Sequence, residues 1–171
     1  MNMRIIIFLL INIFISNYLF GQFKSKIVQI DSTKCELIIY NDSIISKKLF
    51  FYKVLKHYQA DIDKDGKDEI ILGVYKSTIL DSVKRYRINI WQLDSNQIVP
   101  KWLGSFLPHP IFDFDIIKLN NEFLIRTIEF EENNLFLISE YRWHSFGLKY
   151  IRSLVKNVTL DEAKKTLNIL K

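Results

Sequence analysis

The chain has 171 residues, a formal net charge of +5 and a composition that is 49% hydrophobic and 25% charged. Its basic residues are scattered, so the sequence offers neither a basic stripe for nucleic acid nor a polybasic membrane patch. Cys35 is the only cysteine, which excludes an intramolecular disulfide. Stability must therefore come from packing and from any bound metal.

The first 21 residues predict a secretory signal peptide. Arg4 gives a short positive start, residues 5–15 are almost wholly apolar, and the chain then becomes polar. An apolar run of this length is typical of a signal peptide, whereas a membrane-spanning helix requires about 20 apolar residues. We therefore expect cleavage after 1–21, a secreted or periplasmic location, one β domain over 22–171 and no stable membrane insertion after cleavage. An uncleaved N-terminal anchor is the alternative.

Short runs rich in β-branched and aromatic residues follow along the rest of the chain. Clusters of Asn, Asp and Ser separate them as turns, which predicts an all-β fold built as an antiparallel meander. The predicted strands cover residues 26–30, 36–40, 44–50, 54–60, 69–75, 86–93, 97–103, 112–119, 122–129, 135–141 and 148–154.

A loop dense in carboxylates joins two of these strands. Three aspartates alternate along it and Gly66 follows the third directly. Ca²⁺ takes about six to eight oxygen ligands, and glycine supplies a backbone conformation that a Cβ would resist. The pattern predicts a Ca²⁺ site, with a solvated acidic turn as the alternative. The predicted ligands are the carboxylates of Asp61, Asp63 and Asp65, the main-chain carbonyl of Lys67, and the carboxylate of Glu69 or Asp68.

The flanks of the loop decide between two families of calcium loop. An EF-hand requires a bidentate acid at loop position 12, which here is Leu72, and it requires flanking helices. The strand–DxDxDG–xDE–strand pattern over 58–75 instead resembles the FG-GAP/VCBS repeats of integrin α-type β-propellers. The resemblance implies blade-like sheets and a fifth side-chain ligand at loop position 9. That position is Glu69, where the family usually has aspartate.

An internal repeat supports blade-like units. Tyr40, Trp91 and Trp143 each lie at or near the end of a predicted strand before a polar turn, and they lie 51 and 52 residues apart. Such periods are typical of four-stranded propeller blades. The first unit is one strand short, so two to three units are expected, either as an open stack or as part of a ring completed by several chains. The units cover about 26–53, 54–106 and 107–156.

Only one metal site is expected from these units. The segment 114–122 is the counterpart of the acidic loop in the last unit. Ile117 and Leu119 stand there in place of Asp63 and Asp65, so the carboxylate ligands are missing.

The linker between the last two units is the second unusual stretch. Residues 100–112 hold all three prolines together with several aromatic side chains. We interpret it as a buried connection, with a rigid binding loop for a glycan or a partner protein as the alternative. The competing function is a secreted hydrolase with a site at 108–115, where His109 would lie near Asp113 or Asp115. His57 and His144 belong to no metal or catalytic motif.

The chain ends in a predicted amphipathic helix over 160–170. Thr159 and Glu162 have capping-box spacing, and Leu160, Ala163, Leu167 and Leu170 share one face. Together these patterns predict an exported calcium-binding β-repeat protein that acts as a binding or structural module. We expect a protein or glycan partner and no nucleic acid, and we assign no catalytic residue.

Overall fold

The computed structural model of the chain describes residues 23–79, 81–104 and 107–169. The predicted signal peptide, 1–21, lies outside these residues, as do Phe106 in the linker and Leu170 in the predicted helix. The elements are β1 (Lys24–Gln29), β2 (Cys35–Tyr40), β3 (Ile44–Phe50), β4 (Val54–Ala60), β5 (Glu69–Lys76), β6 (Arg85–Asp94), β7 (Gln97–Trp102), β8 (Ile111–Leu119), β9 (Glu122–Phe130), a 3₁₀ turn (Glu132–Asn134), β10 (Phe136–His144), β11 (Gly147–Val158) and α1 (Leu160–Ile169).

The strands form three antiparallel sheets in chain order. The first sheet is β1-β2-β3, the middle sheet is β4-β5-β6-β7 and the third sheet is β8-β9-β10-β11. The predicted all-β meander of three- and four-stranded units with a C-terminal helix is confirmed. No sheet closes into a barrel within the described ranges. The first sheet is one strand short, as the repeat spacing indicated.

The middle sheet is buried on both of its faces. Ile70, Leu72 and Val74 pack against side chains of the first sheet. Ile71, which points the opposite way, packs in a second cluster with Phe114 of the third sheet. Because successive side chains of a strand alternate between faces, the part of β5 that is covered on both sides, residues 70–74, is apolar on both faces. This is why β5 lacks the alternation that the outer strands show.

Gly73 allows the third sheet to approach β5 closely. A Cβ added at Gly73 would lie 2.6 Å from the Tyr86 hydroxyl oxygen and 2.8 Å from Cε1 of Phe114. Neither distance is compatible with van der Waals contact, so a side chain here would have to displace the rings of Tyr86 and Phe114. The glycine thus leaves the space over β5 that these two rings occupy.

Helix α1 covers the outer face of the third sheet. Its predicted capping box is confirmed: the Thr159 N–H donates to Oε2 of Glu162 at 2.9 Å, and the Glu162 N–H faces Oγ1 of Thr159 at 3.4 Å. Ala163 and Leu167 are buried against the third sheet in a cluster that includes Ile128. Across the described residues, no helix combines the length and the hydropathy required to cross a membrane.

The third sheet replaces the acidic loop by a tight turn. Strand β8 continues to Leu119, so Ile117 and Leu119 are strand residues rather than loop residues. Asn120 and Asn121 make the turn into β9 with φ angles of 48° and 61°. Two consecutive residues with positive φ are typical of the short hairpin turns in which asparagine is favoured. The long loop therefore belongs to the middle sheet and not to the third.

Candidate metal centre

The acidic loop, residues 61–68, connects β4 and β5 at one end of the middle sheet. Ile62 is buried in the cluster between the middle and third sheets, although its neighbours in the loop are polar. Its N–H donates to Oε2 of Glu69 at 3.0 Å. The loop is therefore anchored to the core by a side chain at its start and a hydrogen bond across its base.

The three alternating aspartates converge, as the spacing predicted. One carboxylate oxygen from each of Asp61, Asp63 and Asp65 lies within 4.8 Å of the others. The Asp65 N–H donates to Oδ1 of Asp61 at 3.1 Å, and the Gly66 N–H donates to Oδ2 of Asp61 at 3.1 Å. These amides bring positive partial charge to the carboxylates. Gly66 has a φ of +89°, the conformation for which glycine was expected here.

The remaining loop residues have different surroundings. Lys67 is exposed and its N–H donates to Oδ1 of Asp65 at 2.8 Å. Oδ2 of Asp68 accepts a hydrogen bond from Nε2 of Gln59 at 2.9 Å. The side chain of Gln59 also donates to the Phe23 carbonyl at 2.6 Å. Asp68 is thus tied to β4 and to the chain just before the first sheet, and it is not part of the three-aspartate group.

Glu69, the predicted closing ligand, is buried at the start of β5. Its Oε1 lies 2.5 Å from Nζ of Lys101, and its Oε2 accepts the Ile62 N–H. Burial raises the pKa of Glu69 to about 7, against the opposing effect of the Lys101 ammonium and the Ile62 amide. Glu69 is outside the group formed by the three aspartates. Both of its oxygens already have partners from the chain itself.

Lys101 is the site residue that the sequence analysis did not single out. Strand β7 pairs with β6 through Trp91↔Pro100 and Ile90↔Trp102, so Lys101 is the extra residue of a bulge. A bulge redirects its side chain, and here Nζ reaches both Glu69 and Asp63. Burial by itself lowers the pKa of Lys101, but the hydrogen bonds and charges of the two carboxylates raise it overall.

The indole ring of Trp143 also contacts the Lys101 ammonium. Nζ of Lys101 lies 5.4 Å from the centroid of the Trp143 ring on β10. An ammonium at this distance from an indole face is attracted by the ring quadrupole. The sequence signal for Lys101 was a lysine inside a predicted strand between a proline and a tryptophan. That pattern gives no indication of a partner more than 30 residues away.

The donor set of the loop consists of oxygen atoms, which hard cations such as Ca²⁺ prefer. Asp61, Asp63 and Asp65 fit such an ion, because their oxygens converge within 4.8 Å. Glu69 fits less well, since it is buried and lies outside the three-aspartate group, whereas Asp63 belongs to that group although it also contacts Lys101. The ammonium of Lys101 therefore compensates the carboxylates of Glu69 and Asp63. Asp61 is half-buried and Asp65 is exposed to solvent.

The linker encloses a separate cavity of about 200 Å³ that His109 lines together with Arg85 and Arg87. Asp113 and Asp115 are not among the described residues that line it. Asp113 forms an ion pair with Lys56, with Oδ1 and Nζ 2.7 Å apart. Asp115 is buried. A hydrolase at 108–115 would need His109 within hydrogen-bond reach of Asp113 or Asp115, and that alternative stays a prediction.

The structure also places the other two histidines, His57 and His144, and the cysteine, Cys35. Nε2 of His57 lies 2.9 Å from Oγ of Ser25, and burial lowers the pKa of His57. His144 is exposed at the end of β10. Cys35 is fully buried on β2, as expected, and burial raises the pKa of its thiol.

Comparisons with protein-family models, with curated proteins and with solved structures find no match for this chain. The fold and the loop define its class: three antiparallel sheets stacked in chain order, with a carboxylate-rich hairpin loop in the middle sheet. The resemblance to FG-GAP/VCBS repeats rests on residues 58–75 and remains a prediction.

Proposed function

We propose that this chain is an exported calcium-binding β-repeat protein that acts as a binding or structural module. The observation that carries the proposal is the convergence of three aspartate carboxylates within 4.8 Å at the tip of one hairpin. Carboxylates this close repel each other unless positive charge lies between them. The loop amides and the Lys101 ammonium, which contacts Asp63, supply part of that charge, and a divalent cation would supply the rest.

In this proposal, some residues of the loop bind the ion and Glu69 holds the base of the loop. Asp61, Asp63 and Asp65 would hold the ion through carboxylate oxygens, and Lys67 would add its main-chain carbonyl, as the spacing of the loop predicts. Bound Ca²⁺ would neutralise the aspartates and fix the hairpin that β4 and β5 form. Glu69 stays with Lys101 in this arrangement, so it positions the base of the loop rather than closing the coordination shell.

A sequence pattern supports export, and a structural feature supports a module that binds a partner. The N-terminal pattern over 1–21 is that of a signal peptide, which favours a secreted or periplasmic location. The first sheet also carries exposed apolar side chains at Val28, Ile44 and Leu49. These side chains, with the small number of units, favour a partner protein or a second copy at that end of the stack.

Titration calorimetry with the chain lacking residues 1–21 tests the calcium part of the proposal. We expect saturable binding of one Ca²⁺ per chain and weaker binding of Mg²⁺, because Mg²⁺ demands a tighter octahedral shell. The absence of binding heat at millimolar Ca²⁺, together with an unchanged melting temperature, would overturn the proposed calcium binding. Light scattering after size exclusion reports the oligomeric state, and mass spectrometry of the exported product reports cleavage.

A further inference from the structure

An open groove of about 720 Å³ lies at the end of the middle sheet opposite to the acidic loop. It is formed where β4 begins and β5 ends, with Phe51, Leu55 and Tyr75 among its lining residues. The seven residues of β4 separate it from the loop, a distance of roughly 20 Å. The groove and the acidic loop are therefore separate sites.

Aromatic rings form the floor and the rim of this groove. Phe51 is 72% exposed and Tyr75 is 53% exposed, although burying such rings is strongly favourable in water. Tyr52 forms part of the floor and is held in place, since its ring stacks on Phe50 at a centroid distance of 5.1 Å. The groove thus offers two open ring faces beside a fixed one.

The charge of the groove is positive. Lys53, Lys76 and Lys84 line it, and Nζ of Lys76 lies 4.7 Å from the Tyr52 ring centroid. Among the described residues, no carboxylate lines the groove and no ion pair uses these three lysines.

The acidic residues nearest to the groove are engaged elsewhere. Oδ2 of Asp81 lies 2.6 Å from Nη2 of Arg87 and 3.1 Å from Nε of Arg85. Oδ1 of Asp31 accepts hydrogen bonds from the N–H and the hydroxyl of Thr33, at 2.7 and 2.8 Å. Lys53 and Lys84 are exposed, so their positive charge is left for a ligand.

We propose that this groove binds an acidic polysaccharide whose pyranose rings carry carboxylates. The C–H face of a pyranose is apolar and packs on aromatic rings, and its carboxylate pairs with an ammonium. The hydroxyl groups of Ser32 and Ser77 in the groove wall match the hydroxyl groups of such a ligand. The inference names a ligand for the binding role proposed above and rests on that role, but not on the metal.

Other anionic ligands fit the groove less well. An extended peptide pairs with the length of an open strand edge, whereas turns and strand ends form much of this groove. A membrane surface is flat, and the site is concave. Single-stranded nucleic acid also combines stacking with phosphate contacts, but an exported chain meets polysaccharides more readily than nucleic acids.

Titration calorimetry of the chain lacking residues 1–21 with polygalacturonate tests the assignment. The buffer contains EDTA, because polygalacturonate itself binds Ca²⁺. We expect saturable binding that weakens as salt rises, and no comparable binding of dextran, polyglutamate, oligo-dT or anionic vesicles. Equal binding of dextran would show that charge is irrelevant. Equal binding of any of the other three, or no binding of polygalacturonate, would also overturn the proposal.

Two double variants locate the site. Phe51→Ala with Lys84→Gln removes an exposed ring and an ammonium from the groove, and we expect about tenfold weaker binding or more. Phe146→Ala with Lys149→Gln makes the same chemical change at exposed positions on the third sheet, and it should bind like the wild type. Equal affinity of the two variants would overturn the assignment of the groove.

The same samples separate this inference from the calcium proposal. Asp65→Ala removes a predicted metal ligand about 20 Å away, so polygalacturonate binding should persist in it. If Ca²⁺ fails to bind while polygalacturonate binds, the groove assignment is supported and the calcium proposal is overturned. If Ca²⁺ binds while polygalacturonate does not, the groove assignment is overturned and the metal site stands.

Discussion

The ammonium of Lys101 lies 2.5 Å from Oε1 of Glu69, although 32 residues separate the two in the chain. The Glu69 side chain is buried and that of Lys101 is 11% exposed, and the same ammonium reaches Asp63 in the acidic loop. An internal cation thus compensates the inner side of a loop whose outer side carries Asp61 and Asp65. The pair links β5 to the bulge of β7, so the loop is fixed to two strands of the middle sheet.

Removing the ammonium should destabilise the protein strongly. Lys101→Met leaves the buried Glu69 carboxyl without its partner, and losing one member of a buried pair costs about 3–5 kcal/mol. Urea unfolding in the presence of EDTA measures the free energy of unfolding. Lys64→Met is the matched control, because Lys64 is exposed and its Nζ lies 3.4 Å from Glu122. We expect a change of less than about 1 kcal/mol there. Equal losses in both variants would contradict the assigned role of Lys101.

Calcium should raise the melting temperature through the aspartates. At a free Ca²⁺ concentration about 100 times the dissociation constant, binding stabilises a folded protein by about 2.7 kcal/mol. For a chain of this size we expect a rise of roughly 5–10 °C in calorimetry. Asp65→Ala should abolish the rise, since it removes a ligand without touching Lys101. Asp42→Ala, at an exposed turn of the first sheet, should keep it. A full rise in Asp65→Ala would exclude Asp65 from the site.

Glu129 should make stability depend on pH. This side chain is fully buried on β9, and burial raises its pKa above the ordinary value of 4.5 against a 2.6 Å hydrogen bond from Thr127. The folded state therefore binds the proton more tightly than the unfolded state. Its contribution is fully present below about pH 4.5 and is lost as the pH rises through the folded pKa.

Glu129→Gln isolates this contribution, because all other titrating groups are common to both proteins. We expect the melting temperature of the variant, relative to the wild type, to increase between pH 4.5 and pH 8. Differential scanning calorimetry at several pH values measures the difference. Glu132→Gln at an exposed position should show no such trend. A pH-independent difference for Glu129→Gln would contradict the raised pKa.

Gly73→Ala tests the stacking of the sheets. The added Cβ would collide with the Tyr86 hydroxyl and with Phe114, and overpacking of this kind typically destabilises by about 1–3 kcal/mol. The double variant with Tyr86→Phe removes the nearer obstacle, so it should recover part of the loss relative to the sum of the single changes. Urea unfolding of the four proteins measures the coupling. A neutral Gly73→Ala would show that the third sheet does not approach β5 as closely as described.

The sequence alone determined the features that depend on neighbours in the chain. Alternation and turn residues located the strands to within a few residues, and the spacing of Thr159 and Glu162 located the helix start. The positive φ at Gly66 followed from the turn that the acidic loop must make. These predictions succeed because strand periodicity, capping and turn conformation are set by interactions between residues close in sequence.

Tertiary structure decided everything that joins distant strands. Lys101 enters the acidic loop because a bulge in β7 redirects it toward β5, and Gly73 is required because β8 packs over it. The groove beside Phe51 forms where the first and middle sheets meet. No local pattern encodes these contacts, since each depends on strand pairing within a sheet or on how separate sheets stack to bury apolar faces. The bulge in β7 gave Glu69 a lysine as its partner, where the sequence suggested a metal ion.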